Sequence, residues 1–134
     1  MSPRVVLPSV VRRAIAAHAR DAHPAECCGL LLGRGARVAY AIRMSNRATQ
    51  PHRYRLDDRA HIALRRLLRD MRPPLAIVGV YHSHPRGPIE PSALDRAEAH
   101  YPEWVHVIAG ARGRRVHLAA FRIRAGRVRR MVIV

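Results

Sequence analysis

The chain has no lysine. All 25 of its cationic side chains are arginine, so it can carry no isopeptide adduct on a side chain of its own. So uniform a choice points to codon usage in a GC-rich genome, although the planar guanidinium also suits carboxylate and phosphate forks. Acids are scarce: 9 against those 25, for a formal charge of +16 and a pI near 11.8. That balance predicts attraction to nucleic acid or to an acidic protein and does not decide between them. Aromatics make up only 4%, which leaves little for stacking bases. The two cysteines, Cys27 and Cys28, are neighbours; a vicinal pair cannot close an ordinary loop-stapling disulfide, and reduced thiols are expected. No apolar run approaches the ~20 residues of a membrane span. Arg12 and Arg13 follow Val10 and Val11 too soon for a signal peptide. The expected setting is the cytoplasm.

What is present is one domain's worth of chain, residues 1–134, with 49% hydrophobic content to build a core. Val10, Val11, Ala14, Ile15 and His18 recur at helical period, ending near His23-Pro24. Glu26 to Gly33 reads as a buried strand. Gly33-Arg34-Gly35 turns it into a second strand, Arg37 to Met44. Ser45 to Arg55 is loop-like. Asp57-Asp58 cap a helix through Ile62, Leu64, Leu67 and Leu68 that closes at Pro73-Pro74. Leu75 to Tyr81 is a continuous apolar strand of the kind covered on both faces. A loop rich in proline and glycine follows, then a short helix from Ser92 to about Tyr101. Strands Trp104–Ala109, Arg115–Phe121 and Arg127–Val134 complete the chain, joined by Gly110–Gly113 and Ala125-Gly126. The fold class is α/β: a single mixed-sheet domain, its sheet flanked by helices.

Chemistry gathers where the apolar strand ends. His82 and His84 stand two apart, so period two puts both imidazoles on one face, close enough to share a metal ion. Ser92 and Asp95 are three apart at a helix start and can point together. The intervening loop carries Pro85, Gly87, Pro88 and Pro91, which can turn the chain back so that Asp95 meets the histidines. Two imidazoles and a carboxylate leave one tetrahedral position open, as a catalytic zinc site does. Taken alone, Ser92-x-x-Asp95 is an ordinary capping box, and His-x-His on a strand is ordinary surface or core polarity. At this joint spacing the site reading prevails, and a capping serine can still present its hydroxyl to a ligand.

His82-Ser83-His84, seven residues, then Ser92-x-x-Asp95, with an upstream glutamate in Pro24-Ala25-Glu26-Cys27-Cys28-Gly29-Leu30-Leu31-Leu32-Gly33, resembles the JAMM (MPN-plus) metallopeptidase signature. The likeness takes in the first helix, the Asn46…Pro51…Tyr54 segment, the Gly79-Val80-Tyr81 lead-in and the strand from Tyr101-Pro102 to Ile108. It implies a JAMM/MPN, cytidine-deaminase-like domain. It implies zinc held by His82, His84 and Asp95, with a metal-bound water as nucleophile. Glu26 is then the general base and Ser92 the donor to the oxyanion. Asp95 is followed too soon by Tyr101-Pro102 for the inserted loops of the eukaryotic members that cut lysine-linked chains. The chain therefore resembles the stand-alone prokaryotic (Prok-JAB-like) branch. That branch implies hydrolysis of a peptide or isopeptide bond after the C-terminal Gly-Gly tail of a ubiquitin-like sulfur-carrier protein of the ThiS/MoaD-like kind. An extended tail laid beside an edge strand fits such a substrate.

The remaining residues carry weaker signals. Cys28 shares a strand face with Glu26, but the reading as a small buried hydrophobe is favoured, and Cys27 points into packing. His18, His23, His52, His61, His100, His106 and His117 lack ligand spacing and read as structural or solvated. Trp104 reads as a core or edge anchor. The arginines cluster from Arg112 to Arg130 and at Arg65, Arg66, Arg69 and Arg72; such runs are usually a solvated face, and here they can also steer an acidic ubiquitin-like partner. Two alternatives stand beside the peptidase: a basic nucleic-acid-binding protein, and a metal-free interaction module.

Overall fold

A computed structural model describes residues 2–50, 53–112 and 114–134. Pro51, His52 and Gly113 lie outside the described residues, as does the side chain of Arg112. In chain order the elements are β1 (Arg4–Val5), α1 (Ser9–Ala22), β2 (Cys28–Arg34), β3 (Arg37–Met44), α2 (Asp58–Arg69), β4 (Ala76–His84), α3 (Ala93–Ala97), β5 (Val105–Arg112), β6 (Arg115–Arg124) and β7 (Arg127–Ile133). The strands form one mixed sheet of order β1-β7-β6-β5-β4-β2-β3, with β4–β5 and β1–β7 parallel and the other pairs antiparallel.

The sheet curls until its edges meet. Val6 donates to the Ala36 carbonyl (2.7 Å) and accepts from the Val38 amide (3.0 Å), so the chain leaving β1 caps the outer edge of β3. Closure of this sort removes the exposed ladder ends that invite association. Nothing in the short Arg4–Val5 segment announced a strand; it exists because β7 offers a parallel partner.

Period two sorts the strand residues into two cores. On one face Leu31, Tyr81, Val107, Ala109, Ala120 and Met131 pack around α1, which contributes Val11 and Ile15. Val10, counted with the helical stripe, is instead 60% exposed, because it precedes Val11 by 100° on the helix and turns outward. On the opposite face Cys28, Leu30, Met44, Val80 and Trp104 are joined by Leu64 of α2. The Asp57 carboxylate caps α2 by accepting from the Arg59 and Ala60 amides. Among the described residues no helix is long and apolar enough to cross a membrane.

Of the boundaries that differ from the sequence reading, three have a plain local reason. β4 runs on through His84, because β2 pairs with it as far as His82 and β5 as far as His84. β5 also continues, through Gly110, which pairs with His84 and His117 rather than starting a turn. Gly110 lacks a side chain because a Cβ there would collide with Ile89, which folds over it. Finally, α3 stops at Ala97 instead of near Tyr101: the Glu98 amide closes onto the Leu94 carbonyl, and Pro102 disfavours helix just before it.

Candidate active site

The site is assembled at one end of β4. His82 and His84 project from the α2 side of the strand, while Ser83 between them faces the other way. The Ser83 hydroxyl accepts from the Cys27 amide (2.9 Å) and the Ser83 amide donates to the Cys27 carbonyl (3.1 Å). This two-bond clamp fastens the residues ahead of β2 to β4, and alternation then sends Glu26 toward the histidines. Glu26 is thus held two residues ahead of β2, not within it.

Asp95 arrives from α3. The Ser92 hydroxyl accepts from the Asp95 amide (3.0 Å) and the Ser92 amide donates to Asp95 Oδ2 (2.9 Å), a reciprocal capping box that fixes the carboxylate. The same Oδ2 lies 3.2 Å from His82 Nε2 and 3.1 Å from His84 Nε2, and the two Nε2 atoms are 3.0 Å apart. His84 Nδ1 faces the Pro88 carbonyl at 2.9 Å. A carbonyl only accepts, so in the neutral ring Nδ1 carries the proton and Nε2 presents a lone pair. Lone pairs and a carboxylate converging on one point call for a cation between them. Tetrahedral zinc, with bonds of about 2.0–2.1 Å, would set such atoms roughly 3.3 Å apart, close to the spacing found. The ligand atoms of Glu26, His82 and His84 also lie within 4.8 Å of one another, so the glutamate stands beside the three-atom cluster.

Electrostatics agree with this arrangement. Burial holds His82, 1% exposed, below its ordinary pKa and therefore neutral. Burial alone would raise Asp95, but the two imidazoles set against its Oδ2, with the Ser92 amide donating to the same oxygen, outweigh it and keep the carboxyl well below the usual range. Glu26, 9% exposed, is pushed up to about 6 by burial, with the nearby Asp95 charge adding to the effect and His84 opposing it. Cys28 pairs with His82 across the strands yet lies in the apolar core. Burial pushes its thiol up to about 12, which is the behaviour of a small hydrophobe.

Glu26, His84, Ser92 and Asp95 line a cleft of about 700 Å³, joined by Arg86 and Pro88 of the following loop. The four residues expected from the spacing and the glutamate implied by the resemblance lie together here: His82, His84 and Asp95 in contact, Glu26 beside them and Ser92 on the rim. Two supports come from the Asn46…Tyr54 segment, which the family likeness takes in without giving either residue a role. Tyr54 stacks on the His82 ring (centroids 4.4 Å apart, 22° between planes). Asn46 donates to the Glu26 carbonyl (3.1 Å) and the Arg53 carbonyl (3.0 Å), while its Oδ1 accepts from the Ala48 and Arg55 amides (2.9 and 3.0 Å). Beyond that likeness, a lone asparagine in a polar stretch is the only local trace these supports leave in sequence. The arginines of α2 and of the β6–β7 hairpin named above are solvated, apart from half-buried Arg122.

Fold and site together define a JAB-type hydrolase domain. The family described as prokaryotic homologs of the JAB domain matches residues 8–124, and the chain belongs to that stand-alone prokaryotic branch of the JAMM/MPN proteins, as an enzyme of the peptidase or isopeptidase type. It is similar to a desampylase of Haloferax volcanii, 36% identical over 120 residues covering 84% of this chain and 85% of that protein. It is similar also to the CysO-cysteine peptidase of Mycobacterium tuberculosis, 36% identical over 118 residues covering 86% and 80%. Among solved structures, a protein from Desulfitobacterium hafniense superposes with a TM-score of 0.84 at 29% identity, covering 97% of this chain and 91% of that one. A JAB1/MPN domain protein from Archaeoglobus fulgidus, at 17% identity and a TM-score of 0.61 over 99% and 98% of the two chains, shares the fold.

Proposed function

We propose that this protein hydrolyses the peptide or isopeptide bond following the C-terminal Gly-Gly tail of a ubiquitin-like sulfur-carrier protein, with zinc held by His82, His84 and Asp95. The observation that carries the reading is the convergence of His82 Nε2, His84 Nε2 and Asp95 Oδ2 to within 3.0–3.2 Å beside a buried glutamate. The relatives named for desampylation and for CysO–cysteine cleavage support a small carrier protein as substrate.

Zinc in this position supplies a Lewis acid and a water acidified to a pKa of roughly 7. The rest falls to the chain. Glu26, with its carboxyl pushed up to about 6, takes the proton of the attacking water and hands it to the departing amine. The Ser92 hydroxyl, whose oxygen already accepts the Asp95 amide, keeps its own O–H to donate to the carbonyl oxygen as charge builds there. Pro88 holds the His84 tautomer through its carbonyl, and Tyr54 holds the His82 ring plane. The setting we propose is cytoplasmic, which the two free, buried thiols support.

The test combines metal analysis with cleavage of a carrier protein extended beyond Gly-Gly, read by mass spectrometry. One zinc per chain with cleavage after the second glycine supports the proposal. Glu26→Gln should retain the zinc and lose about 10²–10⁴ in rate. A zinc-loaded wild type that leaves every carrier extension intact would overturn the substrate reading, and failure to load zinc would overturn the metal reading.

A further inference from the structure

Three buried side-chain nitrogens have no hydrogen-bond partner among the described residues: His82 Nδ1, His106 Nε2 and Arg122 Nε. A buried polar atom left unpaired costs about 1–3 kcal/mol, so each calls for a reason. Arg122 follows Phe121, which pairs with His106 across β5 and β6, and alternation turns it to the opposite face. The two histidine nitrogens share a face. β4 and β5 run parallel with Val80 beside His106 and His82 beside Ile108, so His106 is the diagonal neighbour of His82. Strand spacing and two steps of rise set their Cα atoms roughly 8 Å apart, a gap that two imidazole rings can close. A charge on His82 is felt at His106, as that proximity requires.

The two histidines of the site are supported unequally. A histidine that gives Nε2 to a metal carries its proton on Nδ1, and an acceptor almost always holds that N–H, fixing the ring and raising its basicity. For His84 the acceptor is the Pro88 carbonyl. The immediate neighbours of His82 supply none. Tyr54 stacks at 22° to the ring, so its atoms lie above the plane in which Nδ1–H points. Ile108, beside it on β5, is apolar. Cys28, opposite on β2, turns its thiol to the Met44 and Ser45 carbonyls at 3.9 and 3.8 Å. Across the diagonal, His106 offers a nitrogen that nothing else uses, between apolar Val80 and Phe121.

We propose that His106 is a positioning residue for the metal site: its Nε2 accepts the hydrogen bond of His82 Nδ1–H, directly or across one bridging water, and so aims the His82 Nε2 lone pair at the zinc. The proposal rests on the zinc reading above. It satisfies both orphaned atoms with one interaction, and it requires the neutral His106 ring to carry its proton on Nδ1. Each metal-facing histidine then has an acceptor from a different element, the loop after β4 for His84 and β5 for His82. His106 itself is not a ligand, since it stands outside the group formed by Glu26, His82 and His84.

Long-range proton–nitrogen NMR spectra of the zinc-loaded wild type read the tautomers directly. His82 should carry its proton on Nδ1 with zinc on Nε2, and His106 should carry its proton on Nδ1 with Nε2 accepting. A proton on His106 Nε2 would overturn the proposal. Competition against a chelator reads the consequence. His106→Leu should weaken zinc binding about 10–100-fold, whereas His106→Gln, whose amide oxygen can accept the same bond, should stay within about threefold of wild type. A leucine variant that binds zinc as tightly as wild type would overturn the proposal. So would equal losses in both variants, because a loss indifferent to the acceptor is a packing effect. A wild type that takes up no zinc overturns the metal reading instead. The His106 tautomer in the zinc-free protein then decides the pairing by itself, and a proton on Nε2 again refutes it.

Discussion

Replacing Asn46 with alanine should cost more stability than any other single polar change in the loop that precedes α2. Its amide uses both donors and its acceptor, and the four bonds, of 2.9 to 3.1 Å, tie Glu26, Arg53, Ala48 and Arg55 to one side chain. A net hydrogen bond in a protein contributes about 0.5–1.5 kcal/mol, and loss of one partner leaves the others to find water. Three of these bonds are partly buried and one is exposed, so a sum of about 2–3 kcal/mol is expected, the exposed contact adding least. For a domain of this size that is a fall in Tm of roughly 6–12 °C. Urea denaturation with an unchanged m-value would give the free energy, and calorimetry the Tm. Asn46→Asp keeps the acceptor and loses both donors, so it should fall between wild type and alanine. The loosened Glu26 carbonyl should also lower kcat more than it raises KM. An alanine variant melting within about 2 °C of wild type would refute the idea that this side chain organises the loop.

Other outcomes follow from the same geometry. His84→Ala and Asp95→Ala should each lose bound zinc together with activity, as elemental analysis of the purified variants would show; full zinc occupancy in either would contradict the ligand set. His106 is 6% exposed, and burial lowers its pKa to about 4, with His82 nearby adding to the effect. The unfolded chain therefore binds the extra proton first as pH falls, and stability present above about 6.5 is lost progressively down to about 4. The gap is worth roughly 3 kcal/mol at most, and His106→Leu should flatten that part of the stability–pH curve. Gly79→Ala should destabilise strongly, because its Cβ would strike the Val105 carbonyl across the β4–β5 ladder; unchanged thermal stability would contradict the strand pairing. Carrier binding, if the exposed arginines steer it, should weaken steeply between about 50 and 200 mM salt, over which the screening length falls from about 14 to about 7 Å, and a flat profile would refute steering.

Local chemistry made much of this molecule legible in its sequence. Strand alternation placed His82 and His84 on one face, and helix-cap chemistry joined Ser92 to Asp95; both arguments use residues a few positions apart, so no knowledge of the rest of the chain was needed. The Asp57 cap of α2 and the β3 boundaries, Arg37 to Met44, were likewise local. What required tertiary structure was every relation between distant segments. Glu26 reaches the histidines because Ser83 clamps Cys27 across 56 positions. Tyr54 finds His82 because Asn46 folds its loop onto Glu26. Val6 closes the sheet onto β3, and Arg20 meets Arg114 and Arg115 around one cavity. Periodicity fixes which way a side chain points, but only the packing of the whole sheet decides what it meets there.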